Sequence, residues 1–225
     1  MIDKKLFIKL LSKNYIKEEQ ELLEMAYMKD GDFNFGHQLE IIKNRFRNLQ
    51  ESQKINSIKH TFKIDDKNFN IHFLGEFLIT SNELLEIVNI IGIKHVTFPK
   101  YLHSIYNGYI LCVNAMETEQ KYRKMGIAKS VISFLINEGF FIMGDSIEYE
   151  NARKLWLSLN KIENYKLDIV SIEEDKILFS GVKLKDIYDN RLWTLEDRER
   201  NNGGNLWERI NSINLNTRAI IYRIY

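Results

Sequence analysis

Residues 113–128 read VNAMETEQKYRKMGIA. Val113 closes an apolar run that begins at Tyr109, so the stretch opens as a central strand continuing toward Glu117. A polar turn follows, and from Gly126 apolar residues return at helical spacing as Ile127, Val131, Phe134 and Leu135. The turn therefore feeds a helix start, where backbone N–H groups lack intrahelical partners and carry a positive partial charge. Such a place suits a pyrophosphate. Gly126 lets the backbone come close to an anion, Arg123 and Lys124 add positive charge beside it, and Ala128 keeps the first turn narrow.

Upstream, Glu19, Leu22, Leu23, Met25, Ala26 and Met28 suit a helix over 17–29, DGDFNFG a loop, and Leu39, Ile42, Phe46 and Leu49 a helix over 37–53. Period-two alternation at Ile58, His60, Phe62 and Ile64, and again at Phe69, Ile71 and Phe73, brackets Asp65-Asp66-Lys67 and predicts a hairpin. Residues 82–91, NELLEIVNII, read as helical, and Pro99 marks an irregular stretch. Downstream, Phe140 to Met143 reads as a buried strand. Asp145 or Ser146 then caps a helix bearing Ala152, Leu155, Trp156 and Leu159. Tyr165, Leu167 and Ile169 alternate, as do Ile177 and Phe179, giving two further strands. The order predicts an α/β (α+β) chain, a mixed sheet with helices packed on it.

With 225 residues, 44% hydrophobic and 28% charged, the chain can build a sizeable core without staples. Lys plus Arg (32) nearly balances Asp plus Glu (31), which excludes a generally basic binder of nucleic acid and leaves room for a local patch. Cys112 is the only cysteine, so no internal disulfide forms and the reducing cytoplasm is the expected compartment. No run approaches 18 apolar residues, so no membrane span is expected, and Lys9 and Lys13 interrupt the N-terminal apolar run against a signal peptide. His37, His60, His72, His95 and His103 show no metal-ligand spacing.

Residues 185–225 differ in composition. All lysines lie at or before Lys185, whereas Arg191, Arg198, Arg200, Arg209, Arg218 and Arg223 follow it, with Trp193 and Trp207. Arginine pairs with phosphates and tryptophan stacks on bases, so one reading is a nucleic-acid clamp. Six acidic residues, from Asp186 to Glu208, nearly cancel that charge. They favour a lid on the substrate side, with Asn201-Asn202-Gly203-Gly204 as its turn and AIIYRIY as an added edge strand.

Arg123, Gly126 and Ala128 resemble the signature of the GNAT superfamily of N-acetyltransferases: Arg or Gln, two residues, Gly, one residue, Gly or Ala, between the fourth strand and third helix. Lys121-Tyr122 is similar to the usual approach to that loop, and Ala152 with Trp156 to the family's helix bearing an Ala and an aromatic four residues on. The resemblance implies a mixed, mostly antiparallel central sheet with helices on both faces. It sets a GNAT-like domain over 1–184, with N-terminal helices over 17–53 and an acyl-CoA motif over 113–128, and a C-terminal extension over 185–225. It implies transfer of an acetyl group from acetyl-CoA to a primary amine by direct attack. The pyrophosphate would lie on amides of Lys124, Met125, Gly126, Ile127 and Ala128 beside Arg123, and pantetheine between 116–118 (Met116 and Thr118) and 141–144. Glu117 or Glu119 would act as base. Trp156 stands where the family has an acidic tyrosine and cannot protonate a thiolate, so either Tyr149 is the acid or the thiolate leaves unaided, with Asn151 a further contact to the acyl donor.

Two alternatives stand. Asp145-Ser146 is similar to a pair in GNAT-like proteins of bacteriophages, one group of which (Mom-like) modifies adenine in DNA. That would make the partner nucleic acid and the compartment the host cytoplasm. The departure at Trp156 would also suit a non-catalytic CoA-binding or protein-interaction module.

Overall fold

The computed structural model describes residues 4, 5, 7, 35–51, 57–74, 76–106, 109–144, 150–181 and 217–224. In chain order its elements are α1 (Phe35–Glu51), β1 (Ser57–Ile64), β2 (Lys67–Leu74), β3 (Phe77–Asn82), β4 (Ile87–Val96), α2 (Lys100–Tyr106), β5 (Ile110–Thr118), a 3₁₀ turn (Gln120–Tyr122), α3 (Ile127–Asn137), β6 (Phe141–Gly144), α4 (Glu150–Asn160), β7 (Tyr165–Ser171), β8 (Lys176–Phe179) and β9 (Thr217–Arg223). The fold is α+β, with a mixed, mostly antiparallel sheet of order β1-β2-β3-β4-β5-β6-β9-β7-β8. The chain divides into two compact units, Met1–Lys94 with Ala115–Ala128 and His95–Asn114 with Lys129–Tyr225.

In the first unit the expected hairpin joins β1 and β2; its turn is Asp65 and Asp66, both at positive φ (47° and 60°), while Lys67 already belongs to β2. Two left-handed residues match the twist of the flanking strands, and Asp tolerates that region. β2, β3 and β4 continue the antiparallel meander. Ile42 and Phe46 of α1, two residues of the apolar stripe read from the sequence, are buried against Ile79 and Ile90.

The expected helix over 82–91 is instead a turn followed by β4. Asn82 accepts the Glu86 N–H on Oδ1 (2.9 Å) and the Leu85 N–H on its carbonyl (3.0 Å), closing a tight turn. Leu84 is 81% exposed, whereas Val88, Ile90 and Ile91 are buried. β-Branched residues at 87, 88, 90 and 91 favour the pleated surface, and tertiary burial outweighs the helical spacing.

In the second unit, β5 and β6 pair in parallel from Ile110↔Phe141 to Val113↔Gly144, with α3 as the crossover. β9 pairs antiparallel with β6 and with β7, and β7 with β8. The C-terminal AIIYRIY run is therefore a central strand between β6 and β7, not the expected edge strand. Ala219, Ile220 and Ile221 are fully buried, as a strand covered on both faces requires. Pro99 lies in the expected irregular stretch, residues 97–99, just before α2: its carbonyl accepts the His103 N–H (2.9 Å), and the Asp175 carboxylate accepts the N–H groups of Tyr101 and Leu102. The expected helix over 17–29, the Asp145 and Ser146 caps and residues 185–216 lie outside the described residues. Among the described residues no helix is long and apolar enough to cross a membrane.

Candidate functional site

β5 is fully buried at Ile110 and Leu111 and becomes half-exposed from Val113 onward. Its C-terminal end is anchored in the first unit by Asn89 of β4. The Asn89 amide donates to the Glu117 carbonyl (2.9 Å) and to Thr118 Oγ1 (2.9 Å), and the Glu119 N–H donates to the Val88 carbonyl (3.0 Å). Asn89 itself is 1% exposed.

After Thr118 the chain makes the 3₁₀ turn, which Tyr122 pins to the sheet. The Tyr122 ring meets Phe69 edge-on (6.2 Å), and its hydroxyl accepts from Asn82 Nδ2 (3.1 Å). Lys121 reaches Glu86 (3.1 Å), which raises the lysine pKa and lowers that of the carboxyl through their hydrogen bond. The β3–β4 turn and the 3₁₀ turn are thus joined by two contacts.

The loop then takes an unusual path. Lys124 has φ 67° and Gly126 φ 85°. A lysine in the left-handed region carries strain, and glycine is the residue that adopts it freely. A Cβ added at Gly126 would meet open space. Among the described residues, no backbone carbonyl accepts the N–H of Lys124, Gly126, Ile127 or Ala128, whereas Met125 donates to Tyr122 (3.4 Å). Free N–H groups in a loop of alternating handedness at a helix start suit an anion.

The structure brings several expected site residues together. Glu117 receives Arg123 Nη2 (2.9 Å), while Arg123 Nε donates to the Thr118 carbonyl (3.1 Å). Glu119 meets Lys43 of α1 (2.8 Å), and this hydrogen bond holds the lysine pKa above its ordinary value despite partial burial. The two carboxylates therefore part to different cations. Met116 and Thr118 sit on the half-exposed end of β5, Lys124 is exposed, and Met125 and Ala128 are half-buried. Ile127 is 1% exposed, a core position. Asn151 lies in the first turn of α4, while Tyr149 lies outside the described residues. Trp156 is 4% exposed, a core position. Cys112 is buried, its thiol near the Gly144 carbonyl (3.7 Å).

Sequence reasoning does not point to Lys43, Asn82 or Asn89, and it names Tyr122 only as part of the approach to the loop. Asn89 had a signal, a lone amide within the run EIVNII, because a buried polar group must find partners. Lys43 had none. Comparison with protein-family models returns no match, nor does comparison with curated proteins or with solved structures.

Proposed function

We propose that the protein is a GNAT-like N-acyltransferase that moves an acetyl group from acetyl-CoA to a primary amine. The observation that carries this reading is the loop from Arg123 to Ala128, where the signature residues coincide with four N–H groups that no backbone carbonyl among the described residues accepts and with an open, left-handed Gly126. These amides would hold the pyrophosphate, with the Lys124 ammonium adding charge. The amine nitrogen attacks the thioester carbonyl, the C–S bond breaks, and the thiolate takes up a proton. A carboxylate at the end of β5 would accept the proton that the ammonium loses. The reading extends to helices on both faces of the sheet and to a C-terminal extension on the substrate side.

A second reading has a specific observation in its favour. Glu117 and Glu119 are each already engaged by a cation, Arg123 at 2.9 Å and Lys43 at 2.8 Å, so neither carboxylate stands free for a substrate ammonium. That arrangement suits a module that binds CoA without acyl transfer. The Mom-like alternative draws on Asp145, Ser146 and the tail over 185–225, of which the structure describes only 217–224.

Isothermal titration with acetyl-CoA tests the first reading, together with thiol release over a panel of amines. Gly126→Glu should abolish binding, since a carboxylate would face the pyrophosphate, whereas Gly126→Ala keeps the charge and adds only backbone strain. No binding to the wild-type chain would sink both CoA readings. Binding without thiol release would leave the non-catalytic module.

A further inference from the structure

Along a strand, successive carbonyls point to opposite edges. At the end of β5 the Glu117 carbonyl points toward β4 and is taken by Asn89, so the Thr118 carbonyl points to the other edge. The parallel ladder on that edge has its last pair at Val113↔Gly144, five residues earlier. Arg123 supplies the donor there: its Nε takes the Thr118 carbonyl while Nη2 takes the Glu117 carboxylate. One planar guanidinium thus bridges a strand end and the loop that leaves it, immediately before the two left-handed residues Lys124 and Gly126.

Two consequences follow for charge. The guanidinium is neutralised by a carboxylate at 2.9 Å, so it brings little net charge to an incoming anion. The Lys124 ammonium has no partner among the described residues and remains the available cation of the loop.

We propose that Arg123 and Glu117 are positioning residues, a clip that holds the amide cradle in its binding shape, rather than a phosphate ligand and a catalytic base. This rests on the acyl-CoA reading and narrows it, because it removes Glu117 from the candidates for base.

The test uses the full chain with CoA as the probe, in Arg123→Met, Glu117→Gln and the double variant. The pair is largely exposed, with side chains 59% and 35% accessible, and Met keeps the apolar stem, so folding is retained. Each single variant should weaken CoA about fivefold, the scale of a partly exposed charge-assisted contact. The double variant should lose about fivefold as well, not about twenty-five-fold, because both act through one clip. In the free protein, ¹⁵N order parameters at 124–127 should fall from about 0.85 toward 0.6 in each variant. Glu117→Gln binding CoA as tightly as the wild type, or more tightly, would overturn the proposal, since a freed guanidinium that ligated phosphate would gain affinity. Unchanged order parameters would overturn it too. If the wild type does not bind CoA, the acyl-CoA reading fails, and the order parameters still decide whether the clip exists.

Discussion

Asp168 of β7 offers the sharpest test of the packing in the second unit. Its side chain is 1% exposed and accepts four hydrogen bonds. Tyr106 and Tyr222 donate to Oδ2 (both 3.0 Å), while Ser180 Oγ (2.9 Å) and the Gly181 N–H (3.0 Å) donate to Oδ1. Four donors and no acceptor suit a carboxylate, which only accepts. Asp168→Asn preserves shape but replaces one oxygen by a donor. If the NH₂ faces Oδ1's partners it confronts the Gly181 N–H, which cannot turn round. If it faces the tyrosines, both hydroxyl hydrogens must find other acceptors. Each hydrogen bond to charge is worth roughly 1 kcal/mol more than its neutral counterpart, so four give about 4 kcal/mol, reduced by relief from burying a charge. The expected loss is about 3 kcal/mol. Amide hydrogen exchange at β7 and β9 should then accelerate about 150-fold, since the whole pairing Tyr165↔Arg223 to Ser171↔Thr217 opens with the unit. An acceleration below about threefold would refute the reasoning, because it would mean that the four donors are not held by an ionised group.

Three further outcomes are expected. Burial first and Asp168 second raise the pKa of Tyr106 and push that of Tyr222 up to about 12. The native state therefore retains protons that the unfolded chain loses, and stability of the second unit should fall as pH rises from 10 toward 12, by at most about 1.4 kcal/mol per unit per tyrosine. In the first unit, burial lowers the pKa of His72, so stability should be complete above about 6.5 and fall as pH drops below it. Denaturation followed at alkaline and acid pH checks both, and a flat profile contradicts them. Lys124→Gly should stabilise the chain by about 0.5–1 kcal/mol in thermal melts by relieving a left-handed lysine, while lowering CoA affinity through loss of the ammonium; lower stability would show that the loop is not strained. Tyr122→Ala should cost about 2–3 kcal/mol, against almost nothing for Lys121→Ala, measured by urea unfolding.

What was legible in the sequence follows a physical division. Local signals survived: the Asp65-Asp66 turn and the strand, turn and helix of 110–137 depend on neighbours close in the chain. Misreadings arose where distant partners decide. Over 82–91 the same apolar residues satisfy a helix or a strand, and it is the pairing Ile79↔Ile90 that chooses. The place of β9 could not follow from its residues, although its uninterrupted run Ala219-Ile220-Ile221 is what a strand buried on both faces looks like. At the site, the residue types of the loop were legible from 123 to 128. The residues that hold the strand end before the loop, Lys43 on Glu119 and Asn89 on Glu117 and Thr118, come from 76 and 28–29 positions upstream of their partners, beyond any local pattern.

The contacts that hold the cradle differ in kind, and the difference bears on how the loop tolerates strain. A left-handed lysine costs roughly 1 kcal/mol. The Lys121 and Glu86 pair is fully exposed and screened by salt, so it offsets little of that. Tyr122 combines a ring packed on Phe69 with a hydrogen bond from Asn82, each worth about 1 kcal/mol, and neither depends on ionic strength. Asn89 adds two hydrogen bonds from a buried position. Neutral contacts on the sheet side therefore carry the strain at Lys124, and the charged Arg123 and Glu117 set only the final shape of the amides. High salt should accordingly loosen the cradle without unfolding the strand end beneath it.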